Sequence, residues 1–250
     1  MDFDSFVLAA ATDDLADATS AVVREHADAV EYRMDAVDAA AEPGAVSPSV
    51  TALAEYDGEL PVIATNRAAW EGGAAGADVP PGEQDAVAAS EDRNRLESLA
   101  AAASIDAVEA IDVELASLAA DQPGVDVVLS EARSHDVSVI ASMHDFERTP
   151  SRDAMRELLA DALEYGDVGK LAVTAETRAD ALDVLAVTEG FAADDRAVAT
   201  MAMGAVGRHT RAIAPIYGSK IGYAPVDADD ATAPGQYDLA TLAELVDALS

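Results

Sequence analysis

Val168-Gly169-Lys170-Leu171-Ala172-Val173-Thr174 leads into the Ala-rich stretch 176–188 and then into the apolar run 197–203. The outer two segments are short and apolar, as buried strands are. The segment between them is longer and amphipathic, as a covering helix is. Strand, helix, strand in succession implies a parallel pair, because a parallel return needs a crossover. The same alternation extends outward in both directions. Candidate strands are 6–10, 29–34, 61–65, 107–113, 137–143, 168–173, 197–203 and 220–223. Candidate helices include 13–25, 83–102, 152–165, 176–188 and 239–249. About eight such units in 250 residues predict an α/β fold, a single (β/α)8 TIM barrel spanning residues 1–250. An open doubly wound sheet is the alternative. The glycine-rich dinucleotide fingerprint is absent after the first strand, where Ala9-Ala10-Ala11-Thr12 stands. Segments 43–48, 72–82 and 227–235 read as loops, the last two long enough to cover a site.

Composition narrows the class of function. The chain carries 48 acidic against 15 basic residues, a net charge of -33. A surface of that sign argues against nucleic acid and anionic membranes as partners. The acids are spread along the chain, as in Ser90-Glu91-Asp92-Arg93 and Asp194-Asp195, which read as polar helix faces. Such a coat, with almost no lysine, resembles proteins of extreme halophiles. The absence of cysteine excludes disulfides, thiolate metal sites and a cysteine nucleophile. The acidic start Met1-Asp2-Phe3-Asp4-Ser5 is no signal peptide, and no stretch approaches the ~20 apolar residues of a membrane span. A soluble cytoplasmic protein is expected.

Only Lys170 and Lys220 are lysines. The apolar flanks of Lys170 would disfavour the ammonium form and favour a neutral amine, able to attack a carbonyl and form a Schiff base. A strand-end lysine paired with a carboxylate is the other reading. In a barrel, the C-terminal strand ends and the loops beyond them build the active site, and the unusual polar residues collect there. Glu31, Arg33 and Asp35 fall on one face of the second strand by a period of two. A Glu31–Arg33 ion pair and direct ligand contact are both open. Arg67 follows the third strand with the rigid fork suited to a carboxylate or hydroxyls. Beyond it, Glu71-Gly72-Gly73 can bend over the site. Asp112 and Glu114 share a face of the fourth strand. Metal binding and acid–base work are possible for them, but ion pairing with Arg33 and Arg67 fits better. His144 ends the fifth strand, next to that of Lys170, where an acid–base role competes with a capping or core histidine. His26 and His135 read as surface residues and His209 as a loop residue. Arg211, after the seventh strand, is an anion-binding candidate. Ala233-Pro234-Gly235-Gln236, after the eighth, is a turn carrying one amide.

In this order the segments resemble type I 3-dehydroquinate dehydratases, from about residue 6 to the C-terminus. The likeness rests on Glu31-x-Arg33-x-Asp35, Arg67 with Glu71-Gly72-Gly73, Asp112-x-Glu114-Leu115 and Ser142-x-His144-Asp145-Phe146-x-x-Thr149-Pro150. It continues through Lys170-Leu171-Ala172, residues 203–211, Gly218-Ser219 and Ala233-Pro234-Gly235-Gln236. The resemblance implies a (β/α)8 barrel, a homodimer, no metal or organic cofactor, and the shikimate-pathway dehydration of 3-dehydroquinate through an imine. It implies that Lys170 is the Schiff-base nucleophile, His144 the general acid and base, and Glu71 the group that orients the histidine. Arg211 matches the ligand of the substrate carboxylate. Glu31, Arg33, Arg67, Thr232 and Gln236 match positions that hold the ring hydroxyls or close the site. Thr232 and Thr210 stand where relatives often carry Ser, and both keep the hydroxyl. Two rival readings remain: another imine-forming barrel enzyme such as a class I aldolase, and a non-catalytic acidic binding protein.

The acidic coat makes a prediction of its own. In molar salt, repulsion is screened within about 3 Å, while in dilute buffer it strains the fold. The melting temperature is expected to rise as KCl is raised toward molar concentrations. A melting temperature that falls over that range would contradict a halophilic coat.

Overall fold

The structure is a computed structural model that describes all residues except 40–46, 77, 231, 232 and 250. Its elements run β1 (Val7–Thr12), α1 (Ala21–His26), β2 (Ala29–Arg33), α2 (Met34–Asp38), α3 (Pro48–Glu55), β3 (Val62–Thr65) and α4 (Ala86–Ala103). They continue with β4 (Val108–Glu114), α5 (Leu115–Ala119), α6 (Val125–Ser134), β5 (Ser138–Asp145), α7 (Arg152–Tyr165), β6 (Val168–Thr174) and α8 (Arg178–Ala193). The chain ends with β7 (Val198–Met203), α9 (Gly204–Gly207), α10 (Thr210–Ile213), β8 (Ile221–Pro225) and α11 (Leu239–Leu249). The eight strands form one parallel sheet in the order β7-β6-β5-β4-β3-β2-β1-β8. The sheet curls until β7 meets β8, so the barrel is closed and the open-sheet alternative falls.

That last seam is not a regular ladder. Lys220 N–H donates to the Val198 carbonyl at 2.7 Å, and Val198 bridges Ser219. Thr200 N–H donates to the Ser219 side-chain oxygen at 3.0 Å. A serine hydroxyl thus stands in for the backbone acceptor that a longer β8 would supply.

Alternation within the strands builds the interior in layers. Ala29, Ile63, Ala110, Ile140 and Val168 are buried members of one apolar cluster inside the barrel. Two residues further along the same strands stand Glu31, Thr65, Asp112, Ser142 and Lys170, all buried. The pleat therefore stacks a polar layer on an apolar floor, toward the C-terminal mouth. A second apolar cluster fills the space between the strands and the outer helices.

Most elements match the sequence reading, and the differences have local causes. The helix expected over 13–25 is a 3-10 turn, Leu15–Thr19, followed by α1. Ser20 separates them because its side chain accepts from Val23 N–H, an N-cap in mid-run. Strands β4 and β5 extend to Glu114 and Asp145, past the expected ends, because the polar residues there find partners inside. Asp35 does not share a strand face with Glu31 and Arg33, since α2 begins at Met34. Among the described residues, no helix is long and apolar enough to cross a membrane.

Ser219→Ala leaves the buried Thr200 N–H without its acceptor. The expected loss is about 1–3 kcal/mol of stability, read as a lower urea midpoint in molar KCl.

Candidate active site

A cleft of about 530 Å³, counting space open to solvent, sits at the C-terminal mouth of the barrel. Lys170, His144, Glu71, Arg67, Arg211 and Gln236 all line it, as do Glu31 and Arg33. Thr232 lies outside the described residues. The structure thus brings together every other residue singled out for the site.

Lys170 stands in the polar layer of β6, opposite Ser142 of β5. Its ammonium donates to Asp112 at 2.8 Å, lies 3.9 Å from a Glu31 oxygen, and sits 3.9 Å from the centre of the Tyr223 ring. The expectation of an apolar setting is corrected here. The stem is in the strand core, but the amine end rests among carboxylates. The paired-lysine reading therefore holds, and it does not displace the chemical one. Glu31 also accepts from the Thr65 hydroxyl at 3.0 Å. Of the ion pairs left open for Glu31, with Arg33 or with a neighbour, the neighbour is Lys170, while Arg33 forks onto Asp35 at 2.9 and 2.8 Å because the turn into α2 swings Asp35 back onto the guanidinium.

Arg67 ties the carboxylates together. It donates to Asp112 at 2.7 Å, to Glu114 at 3.0 Å and to the Ser142 hydroxyl at 2.8 Å, and lies 3.7 Å from Glu71. Burial alone would raise the Asp112 carboxyl, but Arg67 and Lys170 outweigh it and hold it well below the usual range. These carboxylates therefore face cations rather than one another. Among the described residues, no group of three or more histidines and acids is placed to hold a metal ion.

His144 comes two residues after Ser142 on β5, so the pleat sets it on the same inner face, above Lys170. Its Nδ1 is 2.9 Å from a Glu71 oxygen, which leaves Nε2 for the cleft. Burial, then Arg67 and Lys170, push the imidazole pKa well below 6.5, so the ring is neutral at rest. Burial raises the Glu71 carboxyl against the pull of Arg67. Gly72, at φ 79, brings the loop onto Phe146, whose ring would lie 2.7 Å from any Cβ there. Phe146 in turn stacks on His144 at 6.1 Å between centroids.

Arg211 differs from the other cations. It is 5% exposed, and its Nε and one Nη have no partner among the described residues. Its other Nη makes a weak contact to the Met201 sulfur at 3.5 Å. Burial lowers its pKa to about 10, which leaves it charged at neutral pH. Thr210 fixes its helix: the hydroxyl accepts from Ala202 N–H at 2.9 Å and donates to the Gly207 carbonyl at 2.8 Å. The Gln236 side-chain oxygen accepts from Ala233 N–H at 2.9 Å, which closes that turn at the edge of the cleft.

Sequence reasoning missed Asp92 and Arg95. Asp92 was expected on a solvated face, but both residues are buried on α4 and pair at 2.8 Å. The signal was present: positions 92, 95, 96 and 99 fall on one helical face with Leu96 and Leu99. Met201 and Tyr223 also line the cleft without having been assigned a role, and Ser142 and Met203, quoted only as motif residues, stand beside them. Lys220, the other lysine, lies elsewhere: it precedes β8 at the opposite end of the barrel and donates to the Asp4 carbonyl.

The chain matches the family model described as type I 3-dehydroquinase over residues 6–250. Proteins called 3-dehydroquinate dehydratase from Halobacterium salinarum and Haloarcula marismortui are each 48% identical to it over 247 residues. Those alignments cover 98% of this chain and 98% and 97% of the relatives. The crystal structure of 3-dehydroquinate dehydratase from Geobacillus kaustophilus superposes with a TM-score of 0.78 at 26% identity, covering 98% of this chain and 91% of that one.

Removing Arg67 would take one of two cationic partners from each of two buried carboxylates, leaving Asp112 with Lys170 and Glu114 with Arg95. Arg67→Met is expected to cost about 3–5 kcal/mol, measured by urea unfolding in molar KCl.

Proposed function

The chain belongs to the type I 3-dehydroquinase family, a family of hydro-lyases, and from that premise we propose that it converts 3-dehydroquinate to 3-dehydroshikimate and water through an imine on Lys170. The observation that carries this reading is the placing of Lys170 and the His144–Glu71 pair in one cleft with Arg211, whose guanidinium is unpaired among the described residues. A buried guanidinium without a partner among the described residues calls for an anionic one. A carboxylate-bearing ketone supplies the missing partner through charge-assisted hydrogen bonds.

The Lys170 ammonium passes a proton to His144, and the free amine attacks the C3 carbonyl; the imidazolium then returns that proton to the departing carbinolamine hydroxyl. The carbinolamine loses water and becomes a protonated imine. Asp112 and Glu31, which held the ammonium, then stabilise the iminium that replaces it. The imine is an electron sink, so the C2 proton becomes acidic enough for a neutral imidazole. His144 Nε2 takes that proton while Glu71 holds Nδ1 and the ring orientation. The enamine expels the C1 hydroxyl, which leaves as water with a proton returned by His144. Hydrolysis of the product imine consumes the water released at its formation and frees Lys170. The net change is loss of one water. Glu31, Arg33, Arg67, Thr232 and Gln236 are assigned to the ring hydroxyls or to closing the cleft. No cofactor is required. A class I aldolase acting on sugar phosphates would call for a phosphate cradle where this chain offers a single guanidinium.

The same proposal includes a homodimer, a cytoplasmic location and a role in aromatic amino-acid biosynthesis. Light scattering in molar KCl is expected to give twice the 25.7 kDa chain mass.

Borohydride reduction in the presence of 3-dehydroquinate is expected to leave a mass adduct on Lys170, with 3-dehydroshikimate formed in the unreduced reaction. An adduct on Lys220, or product formed by Lys170→Ala at the wild-type rate, would sink the mechanism. His144→Ala is expected to lower kcat by roughly a hundred- to ten-thousandfold. The base must be neutral, and the surroundings of His144 disfavour the imidazolium. The acid limb of kcat/KM should therefore lie below pH 6.5, the ordinary histidine value. Activity should persist as the pH falls through 6.5, and fail only when the buried ring finally protonates.

A further inference from the structure

Arg95 belongs to α4, in the outer layer of the barrel, yet the residue is only 3% exposed. Its Nε donates to Asp92 at 2.8 Å. One Nη donates to the Asn66 carbonyl at 2.7 Å and meets a Glu114 oxygen at 2.8 Å as an ion pair. The other reaches the Ser117 hydroxyl at 3.4 Å. Asn66 reciprocates, its side-chain amide donating to the Arg95 carbonyl at 3.1 Å.

Two of these contacts converge on a single neighbour. Asn66 directly precedes Arg67, and Glu114 is the carboxylate that accepts from Arg67 at 3.0 Å. Glu114 also accepts from Ala68 N–H at 2.9 Å, on the far side of Arg67. Arg95 therefore grips Arg67 both through its backbone and through its side chain. Packing alone does not explain this. Desolvating an ion costs several kcal/mol, and an apolar residue of similar volume often serves a core as well or better.

Charge distribution offers a reason. Arg67 faces Asp112, Glu114 and Glu71. Without a second cation, Glu114 would draw the guanidinium toward itself and away from the other two. With Arg95 behind it, Glu114 is shared, and Arg67 stays centred between Asp112 and Glu71. We propose that Arg95 is a positioning residue for the dehydration: through Glu114 and the Asn66 carbonyl it holds Arg67 in place, and so governs how His144 works as a base. This inference rests on the dehydratase reading of the cleft.

The charged groups facing His144 come from several elements. They are Glu71 and Arg67 from the segment after β3, Arg33 from β2, Asp112 from β4 and Lys170 from β6. The cations among them disfavour the imidazolium. Neutralising Arg95 removes a positive charge one step behind Arg67, which makes the imidazolium easier to form. Neutralising Asp92 does the opposite. The two substitutions should therefore move the acid limb of kcat/KM in opposite directions, which a loss of packing would not do.

The test measures kcat, KM, the pH profile and the melting temperature in molar KCl for wild type, Arg95→Met, Arg95→Lys and Asp92→Asn. For Arg95→Met we expect kcat to fall about tenfold or more, as for a lost charged hydrogen bond. KM should change little, and the acid limb should move to higher pH. Arg95→Lys should return the limb to its wild-type place, and Asp92→Asn should carry it to lower pH. Wild type without dehydratase activity would defeat the reading of the cleft itself. Active wild type beside a folded Arg95→Met with unchanged kcat, or with an unmoved limb and only a lower melting temperature, would overturn the inference. If Arg95→Met does not fold, an unmoved limb in Asp92→Asn overturns it instead.

Discussion

A buried guanidinium shared among carboxylates is the constraint on which the cleft depends. Arg67 follows the third strand, and it finds Asp112, Glu114 and Ser142 on the next two strands. None of these groups is tolerable alone in a dry interior. Together they neutralise one another and fix the geometry of everything above them. Asp112 can then also hold Lys170, and Glu71 can face both Arg67 and His144. Lys170 and His144 thus inherit their positions from an ion cluster rather than from their own packing.

The barrel supplies this cluster through register. Parallel pairing sets Arg33 beside Thr65, Thr65 beside Asp112, and Ser142 beside both Glu114 and Lys170. A slip of one residue in any strand would turn its polar member into the apolar layer between sheet and helices. The apolar floor beneath, from Ala29 to Val168, resists that slip because each strand would also lose its buried contact there. Fold stability and site geometry are in this sense one property.

Much of this was legible in the sequence because it obeys two periods. Strand residues at intervals of two announced the polar faces of Asp112–Glu114 and of Glu31–Arg33, the end of strand five announced His144, and a lone lysine inside apolar strand six announced Lys170. What escaped did so for physical reasons. Apolar flanks describe the stem of Lys170 but not its tip, whose partners come from other strands. Asp35 was lost from its expected face because a helix starts one residue earlier. Asp92 looked like a solvated helix charge because it stands in the charged run Ser90-Glu91-Asp92-Arg93, and its buried partner Arg95 is revealed by tertiary neighbours. Local pattern reports which way a side chain points; it does not report what it meets.

The cleft and the surface pose opposite electrostatic problems. The shell is strongly anionic, yet the proposed substrate is an anion that must reach Arg211. In dilute solution the field of the whole chain opposes that approach. At molar salt the same field fades within about 3 Å, shorter than the depth of a cleft enclosed by strand ends and loops. Inside, a buried guanidinium is screened less than a surface charge and keeps its pull on a carboxylate. A protein so composed can carry an acidic coat for solubility and still bind an acid, because the two fields act in media that screen them differently. The scarcity of lysine fits the same division: the surface charges are mostly acids, and of the two lysines one lies at the base of the cleft, paired with Asp112.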